Sequence, residues 1–260
     1  MSLKGKVALV TGGGSGLGEA TARILAAEGV KVAVLSHSSD EIDAVAAGIQ
    51  HDGGEAAAIT ADIAYPEQME QAVARVIERW GRLDIVFANA GINGVWAPIE
   101  ELSPDEWQKT IDTNLNGTFY TIKYAAPYLK RSGGSVIITS SVNGTRIFSN
   151  TGATAYSSTK AAQVAMAKML ALELAKYKVR VNVICPGAIE SQINENTEQR
   201  NVEQEKEPVE FPQGAIPLTD GKPGTAEDVG KLVLFLASDA ARHISGTEIW
   251  IDGAESLLVG

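Results

Sequence analysis

The chain has 260 residues, with 22 Lys and Arg against 32 Asp and Glu, a net charge of −10 and 45% hydrophobic residues. That length is ample for a sizeable core, and the acidic balance argues against broad nucleic-acid or anionic-membrane binding while leaving room for a local phosphate pocket. The single cysteine, Cys185, excludes an intrachain disulfide and reads as an inert core thiol at a strand end. No apolar run is long enough to span a bilayer and no leader is recognisable, so a cytoplasmic location is expected and the N-x-T triplets at Asn116 and Asn143 carry no glycosylation meaning.

Taken in chain order, short β-branched runs alternate with longer helical patterns. Strands are expected over 6–11, 31–36, 55–62, 83–89, 135–141, 180–186 and 247–253. The first six are continuous apolar runs, the pattern of parallel strands buried on both faces. Helices are expected over 17–28, 40–50, 66–80, 104–131, 155–177 and 226–238. Ser103-Pro104 and Thr225 read as helix starts, and Gly29 and Gly81 as helix stops. Repeated strand–helix units predict an α/β fold, a Rossmann-like doubly wound parallel sheet of about seven strands with helices on both faces. No linker divides the chain, so residues 1–260 read as one domain. Residues 190–217 are polar and too long for an ordinary connection, which reads as a substrate lid, with a surface insertion as the alternative.

The first strand runs straight into TGGGSGLG, residues 11–18, where five of eight residues are glycine. In an open parallel sheet ligands bind at the carboxyl ends of the strands. A helix starting near Leu17 would aim its free N–H groups and positive dipole end at that edge, which suits a pyrophosphate. No three of these glycines have the G-x-G-x-x-G spacing; the stretch instead fits T-G-x-x-x-G-x-G through Thr11, Gly12, Gly16 and Gly18.

In that spacing the chain resembles the short-chain dehydrogenase/reductase family, and the likeness continues along nearly its whole length. Asp62-Ile63 resembles the family's adenine-contacting pair. ANAG at 88–91 resembles its N-N-A-G, with Ala88 in place of the first Asn. TNLNG at 113–117, SSVNG at 140–144, YSSTK at 156–160 and PGAIES at 186–191 resemble its remaining motifs in order. The resemblance implies an NAD(P)-dependent oxidoreductase interconverting a secondary alcohol and a ketone. It also implies catalytic Asn114, Ser141, Tyr156 and Lys160, with Ser141 preferred to Ser140 because it stands three residues before Gly144, and Asn114 holding a water near the lysine. The implied cofactor contacts are Thr11, Gly12, Gly14, Ser15, Gly16, Leu17, Gly18, Ser36, His37, Ser38, Asp62, Ile63, Asn89, Ala90, Gly91, Pro186, Gly187, Ile189 and Ser191. A homotetramer is implied as well, with the apolar helix 155–175 supplying part of an interface.

The chemistry of the pair is sound on its own terms. Free tyrosine is a poor base at neutral pH. Lys160, four residues on, projects from the same helical face as Tyr156. An ammonium about 5 Å from the phenolate contributes roughly 3 kcal/mol at an effective dielectric of about 20, so Lys160 is expected to lower the tyrosine's pKa. The loop from Gly144 to Tyr156 is about two residues longer than in usual members, which makes Asn143, Ile147 and Phe148 candidates to line the pocket. Trp96 and Trp107 read as packing residues, and His51 and His243 as surface residues. No His, Cys or acid cluster suggests a metal.

At the end of the second strand Ser36 stands where an acid would hold the ribose of NAD, and His37 where members preferring NADP often carry Arg. Ser15, Asp40 and Glu41 point the other way, and the balance tilts slightly to NADP(H) over NAD(H). A cofactor-binding scaffold without turnover is the competing reading, against which both Tyr156 and Lys160 are present; a methyltransferase is disfavoured by the same pair. The small-molecule alcohol or ketone substrate stays open among a 3-oxoacyl thioester, a sugar or polyol, and a steroid-like ketone.

Overall fold

The computed structural model describes residues 3–190, 197–207, 209, 211–212 and 214–259. The strands are β1 (Val7–Thr11), β2 (Lys31–Ser36), β3 (Glu55–Thr60), β4 (Ile85–Ala88), β5 (Val95–Trp96), β6 (Gly134–Thr139), β7 (Val179–Pro186), β8 (Glu198–Gln199) and β9 (Glu248–Ile251). The helices are α1 (Gly16–Ala27), α2 (Ser39–His51), α3 (Pro66–Trp80), α4 (Pro104–Thr110), α5 (Gly117–Ser132), α6 (Thr154–Ala175), α7 (Ala226–Ala237) and α8 (Glu255–Leu258).

Seven strands form one sheet in the order β3-β2-β1-β4-β6-β7-β9, every pairing parallel. Alternate residues of each strand face opposite layers. Val7 and Leu9 join a core with α3, α5 and α6, while Ala8 and Val10 join one with α1, α2 and α7. Burial on both faces is what the continuous Val/Ile runs require. From β1 the chain builds outward to β2 and β3, then crosses to β4 on the other side. The sheet therefore reverses direction between β1 and β4, and a crevice opens at their carboxyl ends.

The helix boundaries follow local chemistry. Ser103 and Glu106 form a reciprocal capping box on α4, and Thr225 and Asp228 another on α7. Gly81 ends α3 at φ 73, a left-handed conformation that favours glycine. The helix expected over 104–131 is not continuous, because Ile111–Asn116 forms a π-helical turn between α4 and α5. Such turns re-aim side chains and recur at functional sites. The sequence also gave no sign of the small parallel pairing of β5 with β8. Through it the described part of 190–217 brings Gln199 to the crevice lining.

Candidate active site

The crevice is a cleft of about 970 Å³ running from the glycine turn to Tyr156 and Lys160. Its glycine edge is built by close backbone packing. Gly12 and Gly16 take positive φ values of 64 and 50. A Cβ on Gly18 would lie 1.9 Å from the Gly12 carbonyl oxygen, so only glycine lets α1 start this near β1. Gly12, Gly14, Ser15, Gly16 and Leu17 line the cleft; Gly18 lies beneath them and does not. Thr11 is also off the lining. Its Oγ1 accepts from the Asn89 and Ala90 N–H groups at 3.0 and 3.1 Å, clasping β1 to the chain leaving β4 at the point where the sheet reverses.

Farther along, Ser36, His37, Ser38, Asp62 and Ile63 form one end of the lining, and Asn89, Ala90 and Gly91 its floor. Ser36 Oγ accepts from the Ser38 N–H at 3.3 Å. Asp62 accepts from the Ala64 N–H at 2.9 Å. Ile63 is held by α5, since a Cβ on Gly117 would come within 2.6 Å of it. Pro186, Gly187 and Ile189 line the wall after β7. Ser191 lies outside the described residues.

At the other end Tyr156 and Lys160 come from the first turns of α6 and Ser141 from the chain just past β6. Ser141 Oγ accepts from the Asn143 N–H at 3.1 Å and is hydrogen-bonded to Tyr156. Ser140, by contrast, donates to the Lys160 carbonyl at 2.8 Å and ties α6 to the sheet. Both serines reach the cleft lining, but the Ser140 hydroxyl is spent on α6 while the Ser141 hydroxyl stands beside Tyr156. Lys160 is 3% exposed, and its Nζ donates to the Thr139 carbonyl at 2.8 Å and lies 5.4 Å from the Tyr156 ring centroid.

The electrostatics depart from the expectation for the pair. Burial pushes Tyr156 above the ordinary tyrosine range, with the Ser141 hydrogen bond acting the other way. Burial also pulls Lys160 down to about 8. Desolvation is the leading cause for both, because both groups sit in the protein interior. A stability signature follows. Below pH 8 the Lys160 ammonium is protonated in the folded and the unfolded chain, and its burial cost is present in full. Between about 8 and the ordinary value of 10.5 the unfolded chain binds the extra proton, so this group makes stability rise with pH. Urea unfolding at pH 7 to 10 is expected to show that rise as a difference between the wild type and Lys160→Met.

Asn114 is fully buried and does not line the cleft. Its side-chain amide accepts from the Ile92 N–H and donates to the Ile92 carbonyl, both at 2.8 Å, and also reaches Thr159. Its own carbonyl accepts from Thr118 Oγ1 at 2.7 Å and Gln163 Nε2 at 2.8 Å. Two donors occupy that backbone carbonyl, while the side-chain Oδ1 takes one, from Ile92.

The loop after Ser141 behaves as expected in part. Asn143 and Ile147 line the cleft, whereas Phe148 is 73% exposed and does not. Trp96, read from sequence as packing, lines the cleft instead and donates to the Asn93 carbonyl at 3.2 Å. Residues that sequence reasoning missed also reach the lining. Gln199 comes from β8 and Glu255 from α8, while Glu41, weighed from sequence against NADP(H), lines the cleft from the start of α2. Their side chains belong to elements far apart in sequence, and no motif marks them. Cys185 is fully buried, its thiol pushed up to about 11 mainly by burial, in keeping with an inert core residue. Among the described residues no group of His, Cys, Asp and Glu could hold a metal ion, and no helix is long and apolar enough to cross a membrane.

A doubly wound sheet, a glycine turn at its reversal point and a Ser–Tyr–Lys set at the far end of one cleft define a nucleotide-dependent oxidoreductase. The chain belongs to the short-chain dehydrogenase/reductase family, and is an NAD(P)-dependent enzyme of that family. A family profile described as enoyl-(acyl carrier protein) reductase matches residues 12–254. A 3-oxoacyl-[acyl-carrier-protein] reductase of Thermotoga maritima is 34% identical over 97% of this chain and 98% of its own. A cyclohexanol dehydrogenase of an Acinetobacter strain is 37% identical over 96% of this chain and 94% of its own. The crystal structure of a 3-ketoacyl-ACP reductase from Sinorhizobium meliloti superposes with a TM-score of 0.95 at 54% identity, covering 97% of this chain and 99% of that one.

Proposed function

We propose that this protein interconverts a secondary alcohol and a ketone, with Tyr156 as the general acid/base. The observation that carries the reading is the convergence of Tyr156, Ser141 and Lys160 at the end of a cleft whose other end is a glycine turn and helix N-terminus. The cleft fits a nicotinamide dinucleotide. Backbone N–H groups at the start of α1 suit the pyrophosphate, and Asp62 with Ile63 suits the adenine. When bound, the nicotinamide supplies a hydride acceptor or donor. The chain's own residues do the rest. Ser141 Oγ–H orients the substrate oxygen, with its lone pair held by the Asn143 N–H. Tyr156 takes the hydroxyl proton in oxidation and returns it in reduction. Lys160 keeps a positive charge beside the phenolate below pH 8, and Asn114 fixes the Ile92 backbone beside them.

The same reading extends to the whole chain. Residues 1–260 act as one cytoplasmic domain, and 190–217 as a lid anchored by β8 on β5. A homotetramer is the expected assembly, using α6, where Met169 and Leu172 are exposed apolar side chains.

We further propose a preference for NADP(H). Ser36, Ser38 and His37 offer hydrogen-bond donors at the adenosine end, and no acid ends β2. The alternative, NAD(H), is favoured by Glu41, whose carboxylate shares that wall and opposes a second phosphate. The kcat/KM ratio for the two cofactors is expected to favour NADP(H), and His37→Asp to shift it toward NAD(H) by about tenfold or more through like-charge repulsion. A wild-type preference for NAD(H) overturns the assignment.

A further inference from the structure

We propose that the substrate half of the cleft takes a neutral polyhydroxylated molecule, a polyol or a sugar; this rests on the alcohol/ketone reading above. Beyond Ser141 and Tyr156 the lining includes four amide side chains, Asn93, Asn143, Asn150 and Gln199, together with Trp96. Two of the amides are nearly buried, Asn93 at 7% and Asn143 at 8% exposure. Their known bonds use only part of their capacity. Asn93 Nδ2 donates to Thr197 and Asn150 Nδ2 to Asn143 Oδ1, each at 2.7 Å. Asn93 Oδ1, Asn143 Nδ2, Asn150 Oδ1 and both polar atoms of Gln199 make no hydrogen bond among the described residues.

A hydroxyl is both donor and acceptor, so vicinal hydroxyls match this mixed set of unspent amide groups. An acyl chain or a fused hydrocarbon ring would cover the same groups without pairing them, and sites built to bond a substrate hydroxyl strongly reject analogues that lack it. An anionic substrate is also disfavoured. Lys160 is the only lysine or arginine on the lining among the described residues, and it is buried with one of its three N–H groups on the Thr139 carbonyl. Trp96 adds a flat apolar face of the kind a sugar ring or polyol carbon chain can lie against.

The test is steady-state turnover by the full-length protein, with both nicotinamide cofactors, of three substrate sets. These are linear and cyclic polyols with reducing sugars, chain-matched 2-alkanols and alicyclic ketones, and a 3-oxoacyl thioester. The expected result is a kcat/KM for at least one polyol or sugar about a hundredfold above its matched alkanol. Asn143→Leu keeps the backbone N–H that Ser141 uses, and Gln199→Leu lies at an exposed position of a two-residue strand. Each is expected to raise the polyol KM about tenfold while the cofactor Kd, read by fluorescence, is unchanged. Higher kcat/KM on the alkanol, alicyclic or thioester sets overturns the substrate class but leaves the alcohol/ketone reading standing. So does a polyol KM untouched by both substitutions. Cofactor binding without turnover of any set overturns both.

Discussion

Tyr156→Phe is expected to lower kcat by roughly 10²- to 10⁴-fold, in oxidation and reduction alike, the range typical of a lost general acid/base. The ring stays, and with it the packing of a side chain only 8% exposed, so the melting temperature is expected to hold within a degree or two. Cofactor affinity is expected to change less than about twofold. The argument lies in what else is near. Ser141 is tied to the Asn143 N–H and to Tyr156 itself, Lys160 donates to the Thr139 carbonyl, and Asn114 is off the lining. Neither a serine hydroxyl nor an asparagine amide is a general base near neutral pH, so neither replaces the phenol as the proton carrier. Burial raises the tyrosine's pKa, so oxidation is expected to favour alkaline pH and reduction neutral or lower pH. Retention of near-full activity by Tyr156→Phe, measured on any substrate the wild type turns over, removes the proposed role.

Gly18→Ala carries the second large effect, on architecture rather than chemistry. The new methyl would sit 1.9 Å from the Gly12 carbonyl oxygen and 2.6 Å from its carbon. Both atoms belong to backbone, so no side chain can swing aside, and α1 must move away from the end of β1. Overpacking of this kind costs about 3 kcal/mol, which for a chain of this size lowers the melting temperature by about 6–12 °C. The same displacement withdraws the helix N–H groups from the pyrophosphate position. A cofactor Kd raised at least about tenfold is the expected companion, read by isothermal titration. An unchanged Kd would detach the glycine turn from cofactor binding.

Much of this was legible in the sequence because the signals are local or repeated. The seven strand runs and the glycine turn each answer to neighbouring residues, and Tyr156 with Lys160 is a four-residue helical spacing. The preference for Ser141 over Ser140 rests on a three-residue count, and the two hydroxyls take different partners, Ser140 the Lys160 carbonyl and Ser141 the Asn143 N–H. Where the reading failed, the determinants are distant. The π-helical turn that carries Asn114 is stabilised by contacts with Ile92, Thr159 and Gln163, none of them in its own segment. The raised Tyr156 and lowered Lys160 arise from burial, which an isolated pair of residues does not announce. Trp96 reaches the cleft through its pairing with Gln199, about a hundred residues on.

Glu106 closes the capping box of α4 by accepting from the Ser103 N–H at 2.9 Å, and the same carboxylate takes two bonds from Arg200, at 2.9 and 3.1 Å. Those bonds, led by Arg200, hold its pKa near 2. Arg200 in turn donates its backbone N–H to the Trp96 carbonyl at 2.9 Å. One side chain is therefore shared by a helix start and by the chain that pairs β8 with β5. The two segments are therefore expected to loosen together, and access to the cleft is expected to depend in part on how firmly the first turn of α4 is wound.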